Sequence, residues 1–326
     1  MDTLLQIGLT WNIFLQSLGT WLKTPMLGFS FLGNEYFFLF LLPALYWCFE
    51  TGTGIRVGVL LLLSTALNDA LKMFLHGPCP YWVSPHVTAF TNETSFGAPS
   101  GHAQIAASVW GMLASRLHKW WGWLIAILVI LLIGISRIYL GVHLPQDVIL
   151  GWLIGAFLLW LVIRFWTPVS VWVKKMSLGR QILVAFLSSL VLIIFPLLAF
   201  LWLKVTNWQA PQAWAAFSTL AVSLSGAFTT GGTLFGLLAG LAWLNKQGGF
   251  LTAGPLLQRV LRFLLGLLGV LILYLGLKVV FGFIAPDGET LLPLFLRYIR
   301  YTLVGAWVSA FAPWLFIKFK MANKAS

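Results

Sequence analysis

The sequence predicts an all-α fold, a polytopic integral membrane helical bundle, from three observations. Of 326 residues, 60% are hydrophobic and only 9% are charged, a balance that no soluble domain of this length needs for its core. Apolar runs of spanning length recur along the chain, and inside hydrocarbon a helix is the simplest element that satisfies its own backbone. Eighteen Trp and 26 Phe suit the interfacial belts and lipid-facing surface of such a bundle.

The first element is an amphipathic helix over residues 3–22. Leu4, Ile7, Trp11, Phe14, Leu18 and Trp21 recur at steps of three and four, with Thr10, Asn12 and Gln16 off that face. Its polar side lacks the basic residues of a surface-binding helix, so it either lies in the interface or docks on the bundle. Spanning helices follow at 34–49, 53–74, 100–116, 121–137, 147–166, 181–203, 217–244, 263–284 and 298–317. The seventh is one long tilted helix or is broken at Thr229-Thr230-Gly231-Gly232. Nine crossings put the loop Lys and Arg, from Arg56 and Arg116 through Lys174 and Arg180 to Lys324, on one side. By the positive-inside rule that side is the cytoplasm, and loops 75–99 and 138–146 are extracytoplasmic. Three segments are expected: an N-terminal amphipathic helix (1–30), a transmembrane catalytic core (31–173) and a C-terminal helical extension (174–326).

The net charge of +12 would suggest nucleic acid in a soluble protein. Here the cations sit between apolar runs, so they are read as topology determinants, and the expected partners are the bilayer and a membrane lipid. Cys48 lies in an apolar run and Cys79 in a loop, without CxxC or Cys/His ligand spacing, so neither a disulfide framework nor a zinc site is expected. The N-terminus lacks a charged n-region and a small-residue cleavage site, which starts the mature chain at Met1. No pattern specifies an oligomeric state.

Three polar clusters interrupt the apolar text: Lys72 with the turn His76 to Pro80, Pro99-Ser100-Gly101-His102, and Ser136-Arg137 followed by His143 and Asp147. On the topology above they meet at one membrane face, and ionisable groups at membrane depth are costly enough that such clustering marks a site. Pro99-Ser100-Gly101 opens a helix, where unpaired N–H groups and the dipole favour an anion such as phosphate. Lys72 and Arg137 add two positive charges, and Arg grips two phosphate oxygens at once. Two histidines, His102 and His143, can divide the work of nucleophile and general acid. Asp147, four residues after His143, is placed to fix that ring's tautomer. Asp69 reads as an ion-pair partner of Lys72, and His86 and Glu93 as solvated loop residues.

The order Lys-x6-Arg-Pro, Pro-Ser-Gly-His, Ser-Arg-x5-His-x3-Asp is the signature of the type 2 phosphatidic acid phosphatase (PAP2) superfamily, which this sequence resembles over roughly residues 30–166. The second motif stands complete at 99–102 and the third at 136–147. The phrases Gly33-Asn34-Glu35-Tyr36 and Thr94-Ser95-Phe96-Gly97 look like those of bacterial members. The resemblance implies a lipid phosphate or pyrophosphate phosphatase of the bacterial cytoplasmic membrane, acting on phosphatidate-like, phosphatidylglycerophosphate-like or undecaprenyl pyrophosphate substrates through a phosphohistidine, with its site extracytoplasmic. His143 would be the nucleophile, Asp147 its orienting partner and His102 the acid; Lys72, Ser100, the Gly101 amide and Arg137 would hold the phosphate, with no metal or cofactor. The sequence departs at Cys79, where the first motif has Arg. A thiol supplies neither the fork nor the charge of a guanidinium, and losing one such contact costs on the order of 10²–10³ in rate. His76 is the nearest substitute cation. A weakened or silent relative that binds phospholipid, or a phosphotransferase, are the alternatives.

Overall fold

The structure is a computed structural model that describes residues 3–325. The Met1 start lies outside the described residues, as do the side chains of Glu35, Tyr36, Thr219 and Leu220.

Every regular element among the described residues is helical, as the composition predicts. In chain order they are α1 (Thr3–Ser17), α2 (Lys23–Phe31), α3 (Glu35–Ala44) with a π turn at Leu45–Phe49, α4 (Thr51–Leu75), the single turn α5 (Pro80–Val83), α6 (Gly101–Leu117) and α7 (Trp120–Tyr139). There follow α8 (Pro145–Lys174), α9 (Leu178–Val205), α10 (Ala215–Ala221), α11 (Ser225–Lys246), α12 (Leu256–Ile284), and α13 (Leu291–Ala306) with a π turn at Trp307–Phe311 leading into α14 (Ala312–Lys318). Among the described residues six helical stretches are long and apolar enough to cross a membrane: Thr51–Val83, α7, α8, α9, α11 and α12. The other three predicted crossings correspond to the shorter α3 and α6 and to the π-interrupted α13–α14. The protein is an integral membrane helical bundle.

Contacts divide the chain into two units. The first is Met1–Phe38, Leu67–Ile163 and Phe195–Ser223; the second is Leu39–Ala66, Arg164–Ile194 and Leu224–Ser326.

In the first unit, α1 is inverted relative to a soluble amphipathic helix. Its apolar residues Leu4, Ile7, Trp11 and Phe14 are exposed, and its polar side faces protein. Asn12 is fully buried and donates its amide to the carbonyls of Ile138 (2.7 Å) and His143 (3.0 Å). Gln16 bonds the Thr88 and Tyr139 carbonyls and accepts from the Thr88 N–H. Of the two placements open for this helix, it docks. The polar residues face inward because carbonyls of the chain leaving α7 need donors where water is scarce.

In the second unit, the core gathers Trp47, Phe316, Tyr46 and Phe250. The seventh predicted run divides here, but not at Thr229–Gly232, which lie inside α11. The break falls at 222–224, and the carboxylate of Glu289 accepts the Leu224 N–H (2.8 Å) beside the start of α11. The glycines serve contact instead. Gly232, Gly236 and Gly240 recur every four residues, and a Cβ on them would strike Tyr298, Thr302 and Ser309, respectively. This small-residue stripe lets α11 and α13 approach to backbone distance, a packing mode favoured between membrane helices.

Candidate active site

The three polar clusters converge within the first unit. Lys72 lies in the last turn of α4, Gly101 and His102 open α6, Arg137 is in the last turn of α7, and Asp147 is in the first turn of α8. His143 reaches the same place because the chain reverses after α7. Gly141 takes a positive φ (78°) that an L side chain rarely adopts. The amides of Val142 and His143 both return to the Arg137 carbonyl at 3.3 Å. The second and third clusters are joined directly, since the Ser100 N–H donates to the Asp147 carbonyl (2.9 Å). Asn68 ties α4 to α6 through the Gln104 side chain (2.9 Å) and the Pro99 carbonyl (3.3 Å).

A cavity of about 470 Å³ opens among these elements, lined in part by Lys72, Gly101, His102, Arg137, Asp69 and Glu93. Arg137 is 3% exposed. It donates through Nη1 to Ser30 Oγ (2.7 Å) and through Nη2 to Glu93 Oε2 (2.9 Å), while its Nε has no partner. Lys72 donates to Ser95 Oγ (2.6 Å), which in turn donates to Glu93 Oε1 (2.8 Å). Glu93 Oε2 also lies 3.8 Å from His143 Nε2. One carboxylate therefore touches or approaches Lys72, Arg137 and the imidazole of His143. Burial alone would raise the Glu93 carboxyl, but the charges of Lys72 and Arg137, with help from the two histidines, outweigh it and hold it well below the usual carboxylate range.

His143 is fully buried, and neither ring nitrogen has a hydrogen-bond partner. Burial, reinforced by Lys72 and Arg137 and opposed by Glu93, holds its pKa well below the ordinary histidine value, so the ring is neutral. The predicted Asp147 partnership is looser than a hydrogen bond: Oδ2 lies 3.9 Å from His143 Nδ1 and accepts the Leu144 N–H at 2.8 Å. Asp147 thus holds the turn that carries the ring. His102 Nε2 and Ser100 Oγ are buried without partners.

Cys79 is fully buried, and its thiol turns to the Ser95 carbonyl (3.6 Å), not into the cavity. His76, the candidate substitute cation, packs against Trp208 (ring centroids 4.8 Å) and Phe96 (6.4 Å) and is not among the cavity's lining residues. The aromatic side chains that capture it explain why. Trp208 belongs to the loop after α9 and contacts Trp214 of the same loop, which with Phe217 of α10 stacks on Trp82. His86 is exposed, as expected of a loop residue, but Glu93 is not a solvated one. Its signal in the sequence was its isolation, as the sole acid in loop 75–99 among clusters of cations. Among the described residues no group of three or more His, Cys, Asp or Glu is close enough to hold a metal ion.

Comparisons with known proteins follow the same outline. Residues 53–170 match the PAP2 superfamily, and residues 228–324 match the PAP2 superfamily phosphatase transmembrane extension. The chain is 32% identical over 187 residues to glucose-6-phosphatase 3 of Bos taurus, an alignment covering 50% of this chain and 54% of that protein. It is 32% identical over 158 residues to phosphatidylglycerophosphatase B of Bacillus subtilis, covering 44% of this chain and 75% of that one. It is 31% identical over 112 residues to an undecaprenyl-diphosphatase of Sulfolobus acidocaldarius, covering 34% and 54%. The match thus spans about half the length of the first and third of these relatives.

Proposed function

Since the chain belongs to the PAP2 superfamily, we propose that it is a membrane phosphatase that hydrolyses lipid phosphate or pyrophosphate through a phosphohistidine. The observation that carries this reading is the convergence of Lys72, His102, Arg137 and His143 about one partly buried carboxylate at the amino end of α6. A site that holds a carboxylate this way holds a phosphate by the same chemistry.

His143 Nε2 faces the anion, and its Nδ1 faces Asp147. Nε2 attacks phosphorus while the bond from phosphorus to the leaving oxygen breaks, and His102 passes a proton to that oxygen. Water then attacks the phosphohistidine, His102 takes its proton, and phosphate leaves. Arg137, Lys72 and the Gly101 N–H carry the charge that builds on the equatorial oxygens. Relatives named for a phosphatidylglycerophosphate and an undecaprenyl diphosphate support a lipid substrate, and so does the membrane setting, where a head group enters while its chains stay in lipid. Loops 75–99 and 138–146 would face away from the cytoplasm, as charge distribution favours.

The purified protein in lipid nanodiscs should release phosphate from phosphatidate, phosphatidylglycerophosphate or undecaprenyl pyrophosphate, and denaturation during turnover should trap an acid-labile label. His143→Ala should lower the rate by about 10⁴-fold or more, as removal of a nucleophile does elsewhere. Folded protein with no release from any of the three sinks the proposal.

Cys79 favours a second reading, in which it stands where the first motif has Arg and leaves a weak enzyme that chiefly retains phospholipid. Its thiol brings no charge to the cavity. Under that reading wild type stays near background and Cys79→Arg raises turnover; under the first, wild type already turns over.

A further inference from the structure

Glu93 is held against both Lys72 and Arg137, and its placement limits what it does. Its Oε2 is 3.8 Å from His143 Nε2, whereas an attacking atom must come within about 3–3.5 Å of the atom it attacks. A phosphorus poised for attack therefore needs the space that this carboxylate fills. The two cannot share it.

The backbone of Glu93 is pinned. Its carbonyl accepts the Tyr81 hydroxyl (3.0 Å), and its N–H donates to the same oxygen (3.3 Å). Two residues on, the Ser95 carbonyl accepts the Cys79 thiol. Movement thus falls to the side chain, which borders a cavity of about 470 Å³. The carboxylate also under-fills its nest. Arg137 Nε, Ser100 Oγ and His102 Nε2 are all buried without partners, and two carboxylate oxygens cannot reach what three phosphate oxygens can. The cations point the same way: Lys72 and Arg137, which hold the carboxylate, would hold a phosphate in its place.

We propose that Glu93 is a built-in occupant of the anion site, which the phosphate of a substrate displaces by side-chain rotation. This rests on the phosphatase reading above and names the group that a substrate must eject from that site.

Glu93→Gln keeps the shape and removes the charge. Inorganic phosphate, measured as inhibitor and by thermal shift in nanodiscs, should bind this variant about tenfold or more tighter than wild type, because a competing charge a few ångströms away is gone. Without phosphate the variant should melt earlier than wild type, and phosphate should restore more of its melting temperature than it adds to wild type. Dimethyl phosphate should tighten along with phosphate in Glu93→Gln, because the cost of ejecting the carboxylate is common to every ligand of the site; if neither tightens, the proposal is overturned. Should the variant not fold, Glu93→Asp, which retracts the carboxylate, gives the same test with a smaller tightening. Equal or weaker phosphate binding by the variant, in a wild type that turns over substrate, overturns the proposal alone. No phosphate binding by either protein, with no release from any lipid, overturns the proposed function with it.

Discussion

Arg137 in the first unit and Arg262 in the second are both buried, at 3% and 0% exposure, and they are satisfied in opposite ways. Arg262 donates to the carbonyls of Leu251, Thr252, Ala253 and Gln258, all fixed in backbone. Arg137 donates to one hydroxyl and one carboxylate, both on side chains, and leaves Nε unused. Burying a guanidinium is costly in either place. Where the cost is met by carbonyls that cannot leave, the residue is a staple for the turn it spans. Where it is met by a side chain that can rotate away, with donors to spare, the residue is ready to change partners. The spare donor of Arg137 also borders the cavity, as does the unpartnered His102 Nε2.

Exchanging each arginine for lysine separates the two roles most strongly. Arg137→Lys keeps the charge but loses the fork, so kcat/KM should fall about 10²–10³-fold with little change in melting temperature. Arg262→Lys should do the reverse, costing about 2–3 kcal/mol of stability through carbonyls left without donors, with the rate per folded molecule unchanged. A stability loss from Arg137→Lys as large as that from Arg262→Lys would erase the distinction.

Acid should act on the first unit alone. His143 is held neutral, with a folded pKa below its unfolded value, so the unfolded chain takes up a proton first. The stability this contributes is present above the unfolded histidine value near 6.5 and is lost as pH falls through it, by up to about 1.4 kcal/mol per pH unit. Glu93, also depressed, adds a second loss as pH falls below the unfolded carboxylate value of about 4.3. Melting temperature followed in detergent should decline from about pH 6.5 downward, and His143→Asn should lessen that first decline. A flat profile in wild type between pH 7 and 5 would show that the imidazole is not the neutral, desolvated group its surroundings imply.

How much of this was legible in the sequence depended on how each residue signals. Lys72, His102, Arg137, His143 and Asp147 announce themselves by breaking apolar runs at the ends of helices, and the reversal at Gly141 brings the last three together. Glu93 carries its role in partners as much as 50 residues away in the chain, so no local pattern distinguishes it from a solvated loop acid. Thr229–Gly232 look like a break because glycine weakens a helix, yet contact with α13 decides the matter, and only tertiary packing reveals it. The capture of His76 by Trp208 likewise depends on a segment 132 residues downstream.

Asn12 is the subtlest case and should give the smallest effect. It lies far from the cavity in sequence and on a helix that reads as peripheral, yet its amide bridges the carbonyls on either side of the Gly141 turn, those of Ile138 and His143. Removing it takes a donor from two buried carbonyls, of which that of Ile138 keeps the Gly141 N–H, a loss of about 1–2 kcal/mol. If the turn were merely structural, Asn12→Ala would lower melting temperature and leave the surviving molecules fully active. Because the same carbonyl belongs to His143, the ring should lose its aim as well, and kcat should fall about tenfold with KM unchanged, as misplacement of a reacting group does. Asn12→Asp sharpens the test: it keeps the side chain's size but offers the two carbonyls a charged acceptor in place of a donor, and it should be worse than alanine in both measurements. A kcat untouched by either change would confine Asn12 to the same stapling role as Arg262, and the inverted face of α1 would then be a matter of packing only.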